Sequence, residues 1–214
     1  MLVRTWNLFH GKPSPAGRRA FLRQMIELVT RDRPDAVCLQ ELPVWSLAHL
    51  EDWSGMHATS AVARRPRLPV GARAVTALHN GLLRSAFTGE ADAILTAGPA
   101  RDLGEHVVGH TKLRRIANLA EFDGVTVVNF HIDGDRAQFD RVVELAPERS
   151  IVAGDANLVS PAAEGFSPPL AASIDQILVR GLELRDGPAA WPLERRTIDG
   201  RVLSDHAPVE AVVE

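Results

Sequence analysis

The strongest constraint on the fold is a repeated pattern in which a short apolar run stops abruptly at polar side chains. Leu2–Trp6 stops at Asn7, and Ala36–Leu39 stops at Gln40 and Glu41. Val125–Phe130 encloses Asn129 and stops at His131, while Ile151–Ala153 is followed by Gly154, Asp155 and Asn157. Ile174–Val179 contains Asp175, and the last run, Pro208–Val213, follows Asp205 and His206. Runs this short, bounded by Gly, Pro and polar residues, read as strands rather than helices, some of them covered on both faces. Asp and Asn are poor strand formers. Each placed alone would pass as a turn residue.

Helical periodicity appears between these runs. From Arg18 to Arg31 the apolar residues Phe21, Leu22, Met25, Ile26, Leu28 and Val29 recur at three- and four-residue spacing, and Pro34 with Asp35 closes the segment. Arg136–Leu145 reads as a second helix, and a further one is expected near Ala74–Leu83. Ala93–Leu95 and Ile116–Phe122 add strands, with Asp123 and Gly124 forming a two-residue hairpin turn into Val125. Pro43 to Arg84 otherwise shows no sustained period. The pattern predicts mixed sheets packed face to face with helices outside, and ligand sites in such layered folds collect at strand ends. No repeat or linker divides the 214 residues, so residues 1–214 are expected to form one domain.

Composition narrows the function. A hydrophobic fraction of 45% and a charged fraction of 24% exclude disordered and fibrous classes. A net charge of -3 argues against a whole surface built to hold nucleic acid, leaving a local basic groove. The single cysteine, Cys38, forms no intrachain disulfide, which suits a reducing compartment. The opening MLVRTWNLFHGK lacks the apolar core of a signal peptide, and no stretch reaches the length of a membrane span. A cytoplasmic protein without an obligate protein partner is expected.

Taken singly, the polar residues have bland readings: Asn7 as a turn acceptor, Glu41 as a helix cap, His131 as a core histidine. Taken together they suit one kind of site. The oxygens of Asn7, Glu41 and Asp205 are hard ligands, better matched to octahedral Mg²⁺ or Mn²⁺ than to zinc. His131, His206, Asp155 and Asp175 then supply proton transfer and phosphate contacts.

Six segments, TWN (Thr5–Asn7), LQE (Leu39–Glu41), VVNFH (Val127–His131), AGDAN (Ala153–Asn157), SIDQILV (Ser173–Val179) and LSDHAPV (Leu203–Val209), occur in an order that resembles the signatures of the endonuclease/exonuclease/phosphatase superfamily. ADAILTAGP (Ala91–Pro99) is similar to that family's internal strand motif, with Asp92 where Asn is more usual. The resemblance implies an α/β four-layer sandwich, α/β/β/α, with two mixed sheets. It implies metal binding by Asn7 and Glu41, with Asp205 near or at a second metal position. Asp155 would position or deprotonate the attacking water, and Asn157 would hold that water or a phosphate oxygen. His131 would contact the phosphate or assist the leaving group, and His206, oriented by Asp175, would touch the scissile phosphate.

The implied activity is Mg²⁺-dependent hydrolysis of a phosphate ester, with nucleic acid one candidate substrate. Alternatives are a phosphomonoesterase or phospholipid-type diesterase on the same fold, and a catalytically inert binding module. A zinc hydrolase using His10, His131 and His206 lacks closely spaced ligand pairs. The chain contains no tyrosine, so a phosphate contact that family members often make with Tyr or Arg falls to Lys112, Arg114 or Arg115 if it is filled.

Overall fold

The structure is a computed structural model that describes residues 1–15, 20–67, 87–110 and 114–214. In chain order it contains β1 (Leu2–Asn7), β2 (Pro13–Ser14), α1 (Leu22–Thr30), β3 (Ala36–Leu42), α2 (Leu50–Ser54), β4 (His57–Arg64), β5 (Glu90–Thr96) and β6 (Arg101–His110). There follow β7 (Arg114–Phe122), β8 (Val125–His131), α3 (Arg136–Glu144), β9 (Ser150–Asp155), β10 (Asp175–Arg180), β11 (Leu184–Ala190), β12 (Thr197–Ile198), β13 (Arg201–Leu203) and β14 (Val209–Val213). One sheet runs β11-β14-β1-β3-β5-β4, a second β10-β9-β8-β7-β6, and a small one β12-β13-β2.

Strand register decides which polar ends meet. β1 lies parallel to β3 with Asn7 opposite Gln40, so Asn7 and Glu41 finish side by side. In the other sheet β8 lies parallel to β9 with His131 opposite Asp155, and β9 pairs antiparallel with β10, setting Asp155 opposite Asp175. The expected β7–β8 hairpin is present, with Asp123 and Gly124 both at positive φ (53° and 73°) as a two-residue turn requires.

Three apolar clusters define four layers. Val3, Ala36, Cys38, Ile94, Ala120, Val127, Ile151, Ala153, Ile177 and Ala211 fill the space between the large sheets. On the outer face of the six-stranded sheet, α1 buries Leu22, Met25, Ile26 and Val29 against Val37, Leu39 and Leu95. On the outer face of the other, α3 buries Phe139 and Val142 against Val128, Phe130 and Val152. This is the α/β/β/α sandwich expected from the sequence. Asp135 caps α3 by accepting from the Ala137 N–H at 2.8 Å.

Some element bounds differ from expectation. The first helix spans Leu22–Thr30 within the expected 18–31 segment, of which residues 18 and 19 lie outside the described residues, and the second stops at Glu144, one residue early. β4, β6 and β11 were not anticipated; β6 and β11 are edge strands with mostly exposed residues, so their sequences lack a buried-face alternation. The helix expected near Ala74–Leu83 lies outside the described residues. No described helix is long and apolar enough to cross a membrane.

Candidate active site

The ends of β1, β3, β8, β9 and β10 converge at one edge of the sandwich, and Asp155 is the hub of what they carry. Its Oδ2 accepts from Asn7 Nδ2 at 3.0 Å and lies 3.7 Å from His131 Nε2 and 3.8 Å from His206 Nε2. Its Oδ1 accepts from the Asn157 backbone N–H at 2.9 Å. Gly154 makes this approach possible: a Cβ there would stand 2.0 Å from the Phe130 carbonyl oxygen. Asn7 Nδ2 also donates to Glu41 Oε1 at 3.2 Å, so a single amide bridges the two carboxylates. Glu41 reaches this position from a register shift in β3 and holds φ at 54°.

The two histidines are held differently. His206 Nδ1 lies 2.9 and 3.0 Å from the two oxygens of Asp175, fixing the ring from one side. Burial disfavours the imidazolium, but the Asp175 hydrogen bond and the nearby carboxylates outweigh it and lift the His206 pKa to about 9. His131 is fully buried, with Nδ1 3.5 Å from Glu90 Oε1. Burial again opposes its charge, and the Glu90 hydrogen bond with Asp155 and Glu41 raises it to about 9. Glu90 itself would be raised by burial, yet His131 and Arg115 bring it down to about 2. Arg115 completes the inner wall, donating to Glu90 Oε1 at 3.1 Å and to Asp133 Oδ1 at 2.6 Å.

The final loop is locked from beneath. Ser204 Oγ donates to the Asn7 carbonyl at 2.7 Å and accepts from the His206 N–H at 3.1 Å. Arg196 Nη1 donates to the carbonyls of Leu203, Ser204 and His206 at 3.0, 3.1 and 2.9 Å, and Trp6 Nε1 donates to the His206 carbonyl at 3.0 Å.

The structure therefore brings Asn7, Glu41, His131, Asp155, Asp175 and His206 into one cluster. Asn157 joins through its backbone, while its Nδ2 donates to the Ile132 carbonyl at 2.9 Å. Asp205 is exposed at the rim, and its carboxylate meets the Ser204 hydroxyl at 3.4 Å. Of the cations considered for phosphate contact, Arg114 is engaged by the Val62 carbonyl and Glu105, Arg115 backs His131, and Lys112 lies outside the described residues. Sequence reasoning passed over Glu90, Asp133, Ser204 and Arg196. For Glu90 a signal existed, since extending the ADAIL alternation one step back puts it on the face shared by Asp92 and Ile94.

Glu41 and Asp155 with the amide of Asn7 form a hard-oxygen set that fits a divalent cation such as Mg²⁺; the Asn7 oxygen now accepts from the Phe9 N–H at 3.0 Å, and ligation would exchange that bond for the ion. Ligand atoms of Asp155, Asp175 and His206 also lie within 4.8 Å of one another. There, however, Asp175 is occupied by the His206 ring, a carboxylate–imidazole pair rather than two free ligands. No thiolate contributes: Cys38 is buried between the sheets, and burial pushes its thiol far above the ordinary range.

A sequence profile described as the Endonuclease/Exonuclease/phosphatase family matches residues 5–206. No curated protein matches the sequence itself. Among solved structures, an endonuclease/exonuclease/phosphatase from Beutenbergia cavernae is similar over 100% of this chain and 71% of its own, with TM-score 0.71 and 17% identity. D. rerio TDP2 complexed with a single-strand DNA product covers 100% and 98% at TM-score 0.66 and 16% identity. A mannosyl-6-phosphatase of Bacteroides thetaiotaomicron covers 100% and 99% at TM-score 0.62 and 16% identity. At these identities the likeness speaks to the fold.

Proposed function

Because the chain belongs to the endonuclease/exonuclease/phosphatase family, we propose that it is a magnesium- or manganese-dependent hydrolase that cleaves a phosphodiester by attack of an activated water. The supporting observation is the hub at Asp155, whose Oδ2 has an amide, and two imidazoles that carry a proton at neutral pH, within 3.8 Å.

A bound divalent ion would be held by Glu41 and Asn7 with Asp155 alongside, and would neutralise phosphate charge and acidify water. The protein's own groups do the rest. Asp155, held in orientation by Asn7 and the Asn157 N–H, positions the attacking water and accepts its proton. The His206 imidazolium, kept charged by Asp175, donates to a non-bridging phosphate oxygen as negative charge accumulates on it. The His131 imidazolium, paired with Glu90, which Arg115 holds in place, offers its Nε2 proton to the phosphate or to the departing oxygen. Asn157 adds an amide contact to the water or phosphate, and Asp205 is assigned to the rim, near a second cation position.

A nucleic-acid strand is one candidate substrate, in keeping with the TDP2 neighbour crystallised with DNA. The mannosyl-6-phosphatase neighbour supports a second reading, a phosphomonoesterase on the same scaffold. The lone, unpaired Cys38 fits a reducing compartment, and we extend the proposal to a cytoplasmic enzyme.

The test is hydrolysis in Mg²⁺, in Mn²⁺ and in chelator, across single- and double-stranded oligonucleotides, bis-p-nitrophenyl phosphate, cyclic nucleotides and sugar phosphates. Cation-dependent cleavage of a diester is expected. A higher kcat/KM on sugar phosphates than on any diester establishes the second reading, and no turnover of any ester in either cation leaves an inert binding module.

A further inference from the structure

Between the sheets, directly beneath the catalytic groups, is a polar cell that the proposed reaction does not use. Gln40 and Asp92 face it from the six-stranded sheet, in alternation with Cys38 and Ile94 of the apolar core. Asn118 and Asn129 face it from the other sheet, in alternation with Ala120 and Val127. All four are buried, at 0%, 1%, 3% and 0% exposure in that order.

Their proximity is fixed by hydrogen bonds and strand register. The β3 bulge sets Gln40 and Glu41 across from Asp92. Asn129 Nδ2 crosses the gap to donate to the Leu39 and Ala93 carbonyls at 3.1 and 3.0 Å, the neighbours in sequence of Gln40 and Asp92. Gln40 Nε2 donates to Asn129 Oδ1 at 2.7 Å and Thr5 Oγ1 at 2.9 Å, and Asn118 is the direct cross-strand partner of Asn129.

After these bonds, Gln40 Oε1, Asp92 Oδ1 and both polar atoms of the Asn118 amide are buried without a hydrogen-bond partner. Leaving these buried polar atoms unsatisfied is costly, and buried polar groups are almost always satisfied by something. One carboxylate oxygen and two amide oxygens match the hard-oxygen ligand chemistry of an alkali cation. A divalent ion in an all-protein cage would want more carboxylate or more oxygens. Burial disfavours the charged form of Asp92, a cost that a cation in the cell offsets and a neutral water does not.

We propose that this cell binds a monovalent cation, Na⁺ or K⁺, through Asp92 Oδ1, Gln40 Oε1 and Asn118 Oδ1. The ion ties the two sheets together under the bulge that carries Glu41, and is separate from the divalent site above it. Cys38 lies beneath the cell, and Glu90, His131 and Arg115 stand on its catalytic side.

Thermal unfolding of chelator-treated protein at pH 8, in NaCl, KCl and choline chloride at equal ionic strength, tests the site without reference to activity. One alkali salt is expected to raise Tm above choline by about 3 °C or more. Asp92→Asn, a neutral isostere, and Asn118→Leu are each expected to remove that difference, while Glu41→Gln keeps it. Thallium(I) soaked into crystals should give an anomalous peak between Asp92 and Asn118. Equal Tm in the three salts, or a difference that survives Asp92→Asn, overturns the proposal and identifies the occupant as water. A difference lost in Glu41→Gln but kept in Asp92→Asn also overturns it, by assigning the effect to the catalytic carboxylates.

Discussion

The same strands build two unlike regions between the sheets. Toward one end the inward positions of β1, β3, β5, β8 and β9 are Val3, Ala36, Cys38, Ile94, Val127, Ile151 and Ala153, an apolar and fully buried filling. Toward the other end the same strands carry Asn7, Gln40, Asp92, Asn129, His131 and Asp155, almost equally buried but polar. Apart from the bulge in β3, the alternation of the pleat persists across the boundary, and the main change is in side-chain chemistry. Burial therefore does not separate scaffold from site here. What separates them is whether a buried group's partners come from the core or from charges gathered at the strand ends.

That contrast can be broken by substitution, and the largest effects belong to the polar end. Asp155→Asn and His206→Ala are each expected to lower kcat on the preferred ester by on the order of 10³-fold, with Tm close to that of the parent. Near-parental turnover in either variant removes that residue from the mechanism. Ile94→Ala in the apolar end should do the reverse, costing about 2–5 kcal/mol in denaturant unfolding while the folded fraction keeps its kcat. A large loss of kcat in the folded fraction would show that the two regions are not separable.

Titration sharpens the comparison further. His206 has its folded-state pKa raised from 6.5 to about 9, so the Asp175 pairing contributes stability that is complete below pH 6.5 and disappears as pH rises through about 9. Turnover that needs the imidazolium should fall over the same alkaline limb. Asp175→Asn is expected to move that limb to lower pH with about a tenfold loss of kcat at neutral pH, as read from a kcat–pH profile. A limb that stays in place assigns it to another group. The smallest effect is reserved for the exposed Arg23–Glu27 pair on α1, where Arg23→Ala should change unfolding free energy by less than about 0.5 kcal/mol.

Much of this organisation was legible in the sequence, for definable reasons. β1, β3, β8 and β9 could be read because each is a short apolar-rich run ending in a chemically distinct residue, and parallel pairing then aligns those ends. The β7–β8 turn could be read because Asp-Gly tolerates two successive positive φ angles. β4, with His, Ala, Thr, Ser and Arg, carries little hydrophobic signal and is held by pairing along β5. Sequence reasoning passes over Glu90 and reads Arg115 as a candidate phosphate contact for a different cause: both act through His131, and the ADAIL alternation places Glu90 on the inward face without saying what it pairs with.

The guanidinium of Arg196 holds three carbonyls, those of Leu203, Ser204 and His206, and Ser204 fastens the same turn to the end of β1. The loop presenting His206 is thus shaped by a residue several positions upstream and by the opposite terminus of the chain. Grafting the SDH tripeptide onto another scaffold would carry its letters without its curvature. The curvature depends on Arg196 and on the Ser204 hydroxyl, both of which grip main-chain carbonyls rather than the side chains the loop presents.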